Sequence, residues 1–502
     1  MNKSRVTLRW PLAASGPVLT WNRSQLDELC ERCLDIAERA GLQIEADEGD
    51  YPEQLKKLGV RVEGNTVYFT RAQLVDTLDV LRRCHPAGDP ARRLTSPAGR
   101  DAQEVLVGNG ANLVFDWEKW NVTPGDRFTL ASLADWAQGN SDVTALFPPV
   151  MIQDVDMVLE PIYNYALLAG HCRKDFYHEQ PTHPIHVEYL GKMAEVVRSH
   201  TGYFHPMQKY EFLNPPFKMG QRAIDTMLKR IDLGLCDEMG VGSMAVSGVS
   251  APVTVTATAV TAVAETLCGL ALFHTLRPQA GLDAFFATGS FDVRSSRIDF
   301  FGMHTHLQNV ACWDIFVRGF GVDTELLTWY RDANEPGLQA CYEFGMAQSF
   351  FSGLTGRCSP ELGGLSNGNI FSPHQAVLDI ELLKEYNELT AGFEGALSDT
   401  EAEEIVAAVT EPDIHLTSDT MIENMADNVA WNGLFQRGQS AGAGHTAKYG
   451  QTLDLLEHAG KQVAEDTARG KEQRPDGALA QELYGYVKEA AERLGVECPP
   501  LA

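Results

Sequence analysis

The chain has 502 residues, with 41 Lys+Arg against 68 Asp+Glu, a formal net charge of −27, and 44% hydrophobic residues. A surface this acidic repels phosphate backbones and anionic bilayers, which excludes nucleic acid and membrane as partners. The length buries a large core without disulfides. The ten Cys are scattered and Arg9 and Pro11 break any apolar leader, so free thiols in a cytoplasmic, reducing compartment are expected.

In chain order, Ser24 is placed as the cap of a first helix, QLDELCERCLDIAERAG, which Gly41 ends. Cys30-Glu31-Arg32-Cys33 lies within it. At i and i+3 on a helix the two thiols are simple neighbours, so this pair is read as structural. The alternation VRVEGNTVYFT around Gly64-Asn65 predicts a hairpin, and RAQLVDTLDVLRRC a second helix that stops before Pro86. PAGDPARRLTSPAGRD reads as a linker.

From about residue 143 extended and helical segments alternate. The extended candidates are ALFPPVMIQ, DFYHEQ, YFHPMQKYEF, MGVGSMAVSG, DAFFATGSF, TELLTWY and a short piece before Gly363. Between them lie helical stretches, the most apolar at 251–276. Its Thr residues, Glu265 and His274 make it a buried core helix, not a membrane span. Seven or eight such repeats imply a parallel sheet, either open and doubly wound or closed. The number of near-regular repeats favours an α/β fold of the (β/α)8 TIM-barrel type, and no G-x-G-x-x-G opens a helix after the first strand. The expected division is an N-terminal helix–hairpin–helix segment over 1–142, a barrel core over 143–400 and an acidic helical extension over 401–502, with SAGAG at 440–444 as a joint.

In such a barrel, reacting groups sit on the loops that follow the strands. Here those loops read Val249-Ser250-Ala251-Pro252, Phe291-Asp292-Val293-Arg294, Arg331-Asp332-Ala333-Asn334 and Gly363-Gly364-Leu365-Ser366-Asn367-Gly368-Asn369-Ile370-Phe371. Small residues let a large flat ligand approach the backbone, and neighbouring aromatics and carboxylates suit a cation.

Four blocks in order carry a resemblance: SGVSAPVTVTATAVTAVAETLCGLAL, DANEPGLQACYE, GGLSNGNIFSPHQAVLDIEL and HLTSDTMIENMADNVAWNGLFQR. They resemble the trimethylamine methyltransferase (MttB) superfamily over roughly residues 20–440. Two departures are Trp329-Tyr330-Arg331-Asp332, where small residues are common, and Val249-Ser250 in place of Ala-Thr. With standard residues only, the chain is similar to the branch without pyrrolysine, which implies quaternary amines such as glycine betaine, carnitine or proline betaine.

The resemblance implies methyl transfer to the Co(I) of a corrinoid presented by a separate carrier protein, no tightly bound metal, and a homo-oligomer. A quaternary ammonium leaves as a neutral amine, so no general acid is needed. The site must hold donor and acceptor in line and offer the cation aromatic faces and a carboxylate. The aromatic candidates are Trp329, Tyr330, Tyr342 and Phe371, and the carboxylate candidates Asp332 and Glu343, with Asp332 and Phe371 placed to position the methyl group. Asn334 and Asn367 complete the substrate set, Arg294 or Arg331 would meet a substrate carboxylate, and Ser250, Gly363, Gly364 and Gly368 form the corrinoid-facing rim.

Other readings stand beside these. Asp332 and Asn334 also suit a helix cap, and Trp329-Tyr330 barrel-wall packing. His171, Cys172, His178, His183 and His186, with His304-x-His306, would serve a zinc-dependent barrel methyltransferase for another methyl donor, although their spacing matches no standard zinc pattern. A non-catalytic betaine- or corrinoid-binding barrel is the third reading.

Overall fold

The computed structural model describes residues 21–45, 51–87, 105–177, 180–202, 207–326, 330–355, 362–391, 397–411, 413–419, 422, 451–475 and 477–502. Most of the 86–101 linker, the SAGAG joint and most of the fourth resemblance block lie outside them.

The first helix runs Arg23–Ala40. Its cap is Asn22, not Ser24: the Asn22 side chain accepts from the Gln25 N–H while the Gln25 side chain takes the Asn22 N–H, a reciprocal box that Ser24, inside the first turn, cannot make. The buried stripe Leu26, Cys30, Cys33, Leu34 and Ala37 contains both thiols. Burial pushes Cys30 up to about 12 and Cys33 well up, so both are protonated packing groups. After Gly41, the strand Leu42–Glu45 pairs antiparallel with Thr66–Tyr68 of the expected hairpin. Its other edge pairs parallel with Lys218–Gly220, which ties the N-terminal segment to the middle of the chain.

The parallel strands fall into two groups. In one, Leu106–Val107, Ala145–Leu146 and Asp175–Phe176 pair in that order, and Leu362 bridges to the free side of Val107. In the other, Tyr210–Phe212, Glu238–Ser243, Gly281–Phe286 and Glu325–Leu326 pair in that order. Neighbours in space are thus successive in the chain, with the last segment beside the first. Among the described residues no strand pairing joins Phe176 to Tyr210 or Leu326 to Leu362. The strand Leu106–Val107 was not expected; at two residues it carries no legible alternation, and it lies on the N-terminal side of the division expected at 142/143.

Helices cover the outer faces. Val255–Leu276 is the one described helix long and apolar enough to cross a membrane, but it is mostly buried, packed against Arg23–Ala40, Arg71–Cys84, Met303–Trp313 and the back of Glu238–Ser243. Met303–Trp313 continues into a π-helical stretch, Asp314–Phe320. Beyond residue 450, Gln451–Glu472 crosses Arg127–Gly139, and Ala478–Leu494 packs on Glu160–His171 and Pro184–Thr201. The first crossing is backbone on backbone: a Cβ on Gly139 would stand 1.9 Å from the Asp466 carbonyl oxygen, and one on Gly470 1.7 Å from that of Asp135.

Candidate functional site

Strand register sets the inner face of the second group. Gly240 lies between Tyr210 and Asp283, and Gly242 between Phe212 and Phe285. Glycine is required at the centre of each row, because a Cβ would come within 2.4 Å of the Tyr210 ring at 240 and 2.6 Å of the Phe212 ring at 242. The opposite face, with Glu211, Val241, Ser243, Leu282, Ala284 and Phe286, is buried under helices, whereas Tyr210, Phe212 and Met244 are only half-buried. The inner side is therefore lined by aromatic rings, of which Tyr210 and Phe212 are only half-buried. Tyr330 joins its upper end with Phe285, Ala287 and Met244.

At the strand starts this inner face ends in a charged cluster. The Lys209 ammonium lies 2.6 Å from both Glu238 and Asp283, the Tyr210 hydroxyl donates to Asp283 at 2.5 Å, and His85 Nε2 is 3.0 Å from Glu238. His85, Glu238 and Asp283 are close enough together to share a cation. The ammonium of Lys209 already supplies that positive charge.

At the strand ends two small sheets extend the structure. Val246–Ser247, Gly289–Asp292 and Arg297–Asp299 form one; Gly364–Leu365, Ile370–Phe371, Leu113–Asp116 and Asn121–Pro124 form the other. They meet where the Asn367 amide donates to the Ile298 carbonyl at 3.2 Å. The 366–369 turn also receives the Asn109 amide on the Gly368 carbonyl at 3.2 Å. Main-chain bonds from Ser366 to the Ala333 carbonyl and from Asn367 to the Arg331 carbonyl, each 2.7 Å, fasten it to the 331–334 loop.

Asp332 stands at this junction. Its half-buried carboxyl lies within electrostatic reach of Asp299 and Glu343 and close to the Asn367 amide. Burial, then repulsion from Asp299, raises it to about 7. Asp299 is held by its own loop: its Oδ1 accepts from the Phe301 and Gly302 N–H groups at 2.8 and 2.5 Å. The next residue, Phe300, sets its ring 4.9 Å from Tyr330. Gly368 adjoins the same place, where a Cβ would lie 3.1 Å from the Tyr330 ring. Two carboxyls and two half-buried rings thus converge.

The other expected residues divide as follows. Glu343 is buried and shapes the loop: it accepts from the Ala333 N–H at 3.0 Å and from the Gln339 amide at 2.8 Å. Arg331 is also buried and makes two bonds to Asp379, at 2.9 and 2.6 Å, so its guanidinium is committed. Asp379 further accepts from the Gly363 N–H and the Gln375 amide, each at 2.8 Å, so one carboxylate pins the 331 and 363 loops together. Phe371 is fully buried against Trp136, in the core and not against the cluster. Tyr342 is exposed and its hydroxyl donates to the Met346 sulfur; Asn334 is exposed; Arg294 is exposed in the turn between two strands. Ser250 accepts from the Val246 N–H at 2.8 Å, Gly363 and Gly364 are buried, and Trp329 lies outside the described residues.

The histidines are engaged separately. His171 bonds Asp135 and the Ala502 carbonyl, His183 caps its helix, and His186 bonds the Val158 carbonyl and the Thr182 N–H. His178 lies outside the described residues. His304 reaches the Val253 carbonyl, and His306 is buried among Phe301, Phe350 and Phe351, where burial lowers it to about 4. They do not gather. Sequence reasoning missed Asp299, Phe300, Asn109 and Asp379. The available signal for the first two was the second strand of the hairpin that turns at Arg294; for Asp379 it was the i, i+4 spacing with Gln375 at the start of a helix.

Parallel strands alternating with helices, with carboxyls and rings gathered beyond the strand ends, define a mixed α/β protein of the parallel class. The trimethylamine methyltransferase (MTTB) family model matches residues 3–439, and the chain belongs to that family of methyltransferases. Among solved structures the chain is similar to the Methanosarcina barkeri monomethylamine methyltransferase (MtmB), at 12% identity and a TM-score of 0.44, covering 97% of this chain and 91% of that one. No curated protein matches.

Proposed function

We propose that this chain moves a methyl group from a small methylated amine, held as a quaternary ammonium, to a corrinoid presented by a separate protein. The observation that carries the reading is the junction of Asp332 and Asp299 with the rings of Tyr330 and Phe300, within a chain of the methyltransferase family. Rings give a methylated ammonium a soft, non-nucleophilic wall, and the carboxyls balance its charge. Neither competes for the methyl group as a thiolate would, and the buried cysteines are held as thiols.

The strand order supports closure of the two groups into one (β/α)8 barrel that begins at Leu106, with the junction at its C-terminal mouth. The rim there carries exposed Val249, Val253, Val293, Met303 and Leu307, an apolar edge that suits the flat face of a corrin. The corrinoid, when bound, supplies the cobalt(I) nucleophile. The chain's own residues bind the ammonium and aim its methyl group outward.

The test is anoxic absorbance of a cobalt(I) corrinoid, free or on a carrier, with this protein and a panel of trimethylamine, glycine betaine, carnitine, choline and proline betaine. Conversion to methyl-cobalt(III) with a quaternary compound is expected, lost in Asp332→Ala and weakened in Tyr330→Ala. Conversion with trimethylamine alone would replace the quaternary reading, and none with any compound beside a competent control enzyme would overturn the proposal.

A further inference from the structure

One helix has the composition of a core element but only part of the cover. Leu338–Thr355 carries one charged residue in 18, Glu343, and that residue is buried, accepting from the Ala333 N–H and the Gln339 amide. Glu160–His171 and Val255–Leu276 have a similar composition, and each is packed on several sides by other helices. Leu338–Thr355 lies against Pro373–Ala391 and, through Ala347 and Phe351, against Val310, Trp313 and Val317. Its outward side is open: Leu338 is 78%, Tyr342 60% and Phe350 37% exposed, in a stripe at helical spacing with Gly345, Met346 and Ser349. The hydroxyls of this stripe are satisfied within the helix. Ser349 donates to the Gly345 carbonyl at 2.7 Å, and Tyr342 to the Met346 sulfur at 3.5 Å. The stripe can therefore be covered without stranding these donors, and uncovered it holds large apolar side chains in water.

We propose that this face docks a second copy of the chain about a twofold axis. Each copy carries a net charge of −27, so two copies meet at least electrostatic cost where neither presents a charged side chain. The stripe is such a place. Glu335, just ahead of the helix, is exposed and accepts from the Trp120 indole at 3.0 Å. A partner selected by charge finds nothing on the stripe itself to pair with. The stripe is also self-complementary. An axis passing between Gly345 and Met346 sets the two helices antiparallel. The Tyr342 ring then faces the partner's Ser349, and Met346 faces the space beside the partner's Gly345, where a Cβ would meet nothing within 4 Å. Such an interface is a core divided between two chains. Because Glu343 holds Ala333 from the same helix, the contact backs the 331–334 loop from outside.

The experiment is sedimentation equilibrium of the full chain at micromolar concentration. A dimer, or a multiple of two, is expected. It should persist or tighten as salt is raised from about 0.05 to 0.5 M, because screening weakens the repulsion between acidic copies and leaves apolar contacts in place. Tyr342→Glu and Leu338→Glu, both at exposed positions, should each weaken association by about a hundredfold or more, since every substitution enters a twofold interface twice. Their far-UV circular dichroism should match wild type. Leu58→Glu, at an exposed apolar residue on another helix end, should associate as wild type does. Association that dissolves in salt, or that survives both glutamate substitutions on the stripe, overturns the proposal. So does a monomeric wild type; if Tyr342→Glu then also lowers its thermal midpoint, other residues of the same chain cover the face.

Discussion

At the scale of single residues, the most committed side chains in the site region are not those that face the cluster. Arg331 and Asp379 form a buried pair at 2% and 0% side-chain exposure, with the carboxylate also holding Gly363 and Gln375. Removing one partner of a buried pair strands the other charge, so Asp379→Asn is expected to lower stability by about 3–5 kcal/mol in urea denaturation. Asp332→Asn, which strands no cation, should stay within about 1 kcal/mol of wild type. The reverse order would show that the Arg331 guanidinium is not the anchor. Asp332 was legible in the sequence because it follows an extended segment directly. Asp299 was not, since its loop folds back through a hairpin before reaching the junction, and a one-dimensional reading stops at the first turn. Phe371 illustrates the converse: it follows a glycine-rich loop, yet the antiparallel pairing with Gly364 turns its ring into the core.

At the scale of elements, the helices were legible because their 3.6-residue stripes are long, and the parallel strands poorly so because several are only two residues long. The helix Val255–Leu276 carries a residue that composition alone would not place in a core. Glu265 is fully buried, accepting from Ser243 Oγ at 2.5 Å and the Phe217 N–H at 2.9 Å, and burial raises it to about 7. A carboxyl whose pKa is higher folded than unfolded makes the folded state bind more protons between the two values, so stability falls as pH rises through that window. From about 4.5 to 7 the loss is up to about 3 kcal/mol, and it levels off above. Glu265→Gln, which keeps both contacts as an uncharged group, should lack this loss. The check is denaturant unfolding of both proteins from acidic to mildly alkaline pH; parallel curves would refute the assignment.

At the scale of the whole molecule, the segment after residue 450 is part of the architecture. Gln451–Glu472 meets Arg127–Gly139 through Gly139 and Gly470, and the crossing is locked by Arg474 on Asp135 and Asn140 on Asp466. Nothing in the acidic, helical sequence there announces a backbone-close contact; two glycines three hundred residues apart become a signal only once the crossing is known. Gly470→Ala must push the helices apart and is expected to lower the thermal midpoint by the equivalent of roughly 1–3 kcal/mol or more. Gly485→Ala, in the next helix with open space around its Cβ, should be neutral or raise the midpoint. Equal melting of the two variants would mean that the crossing is not closely packed.

The glycines at 240 and 242 have a thermodynamic consequence of their own. By carrying no Cβ they leave room for the Tyr210 and Phe212 rings along the inner face of the strands. Both rings are only half-buried. On the proposed function, a methylated ammonium that covered these rings would take apolar surface out of water, so its binding is expected to carry a negative heat-capacity change. On that reading affinity is a property of temperature as much as of contacts: the enthalpy of binding would grow more favourable, and the entropy less so, as the solution warms.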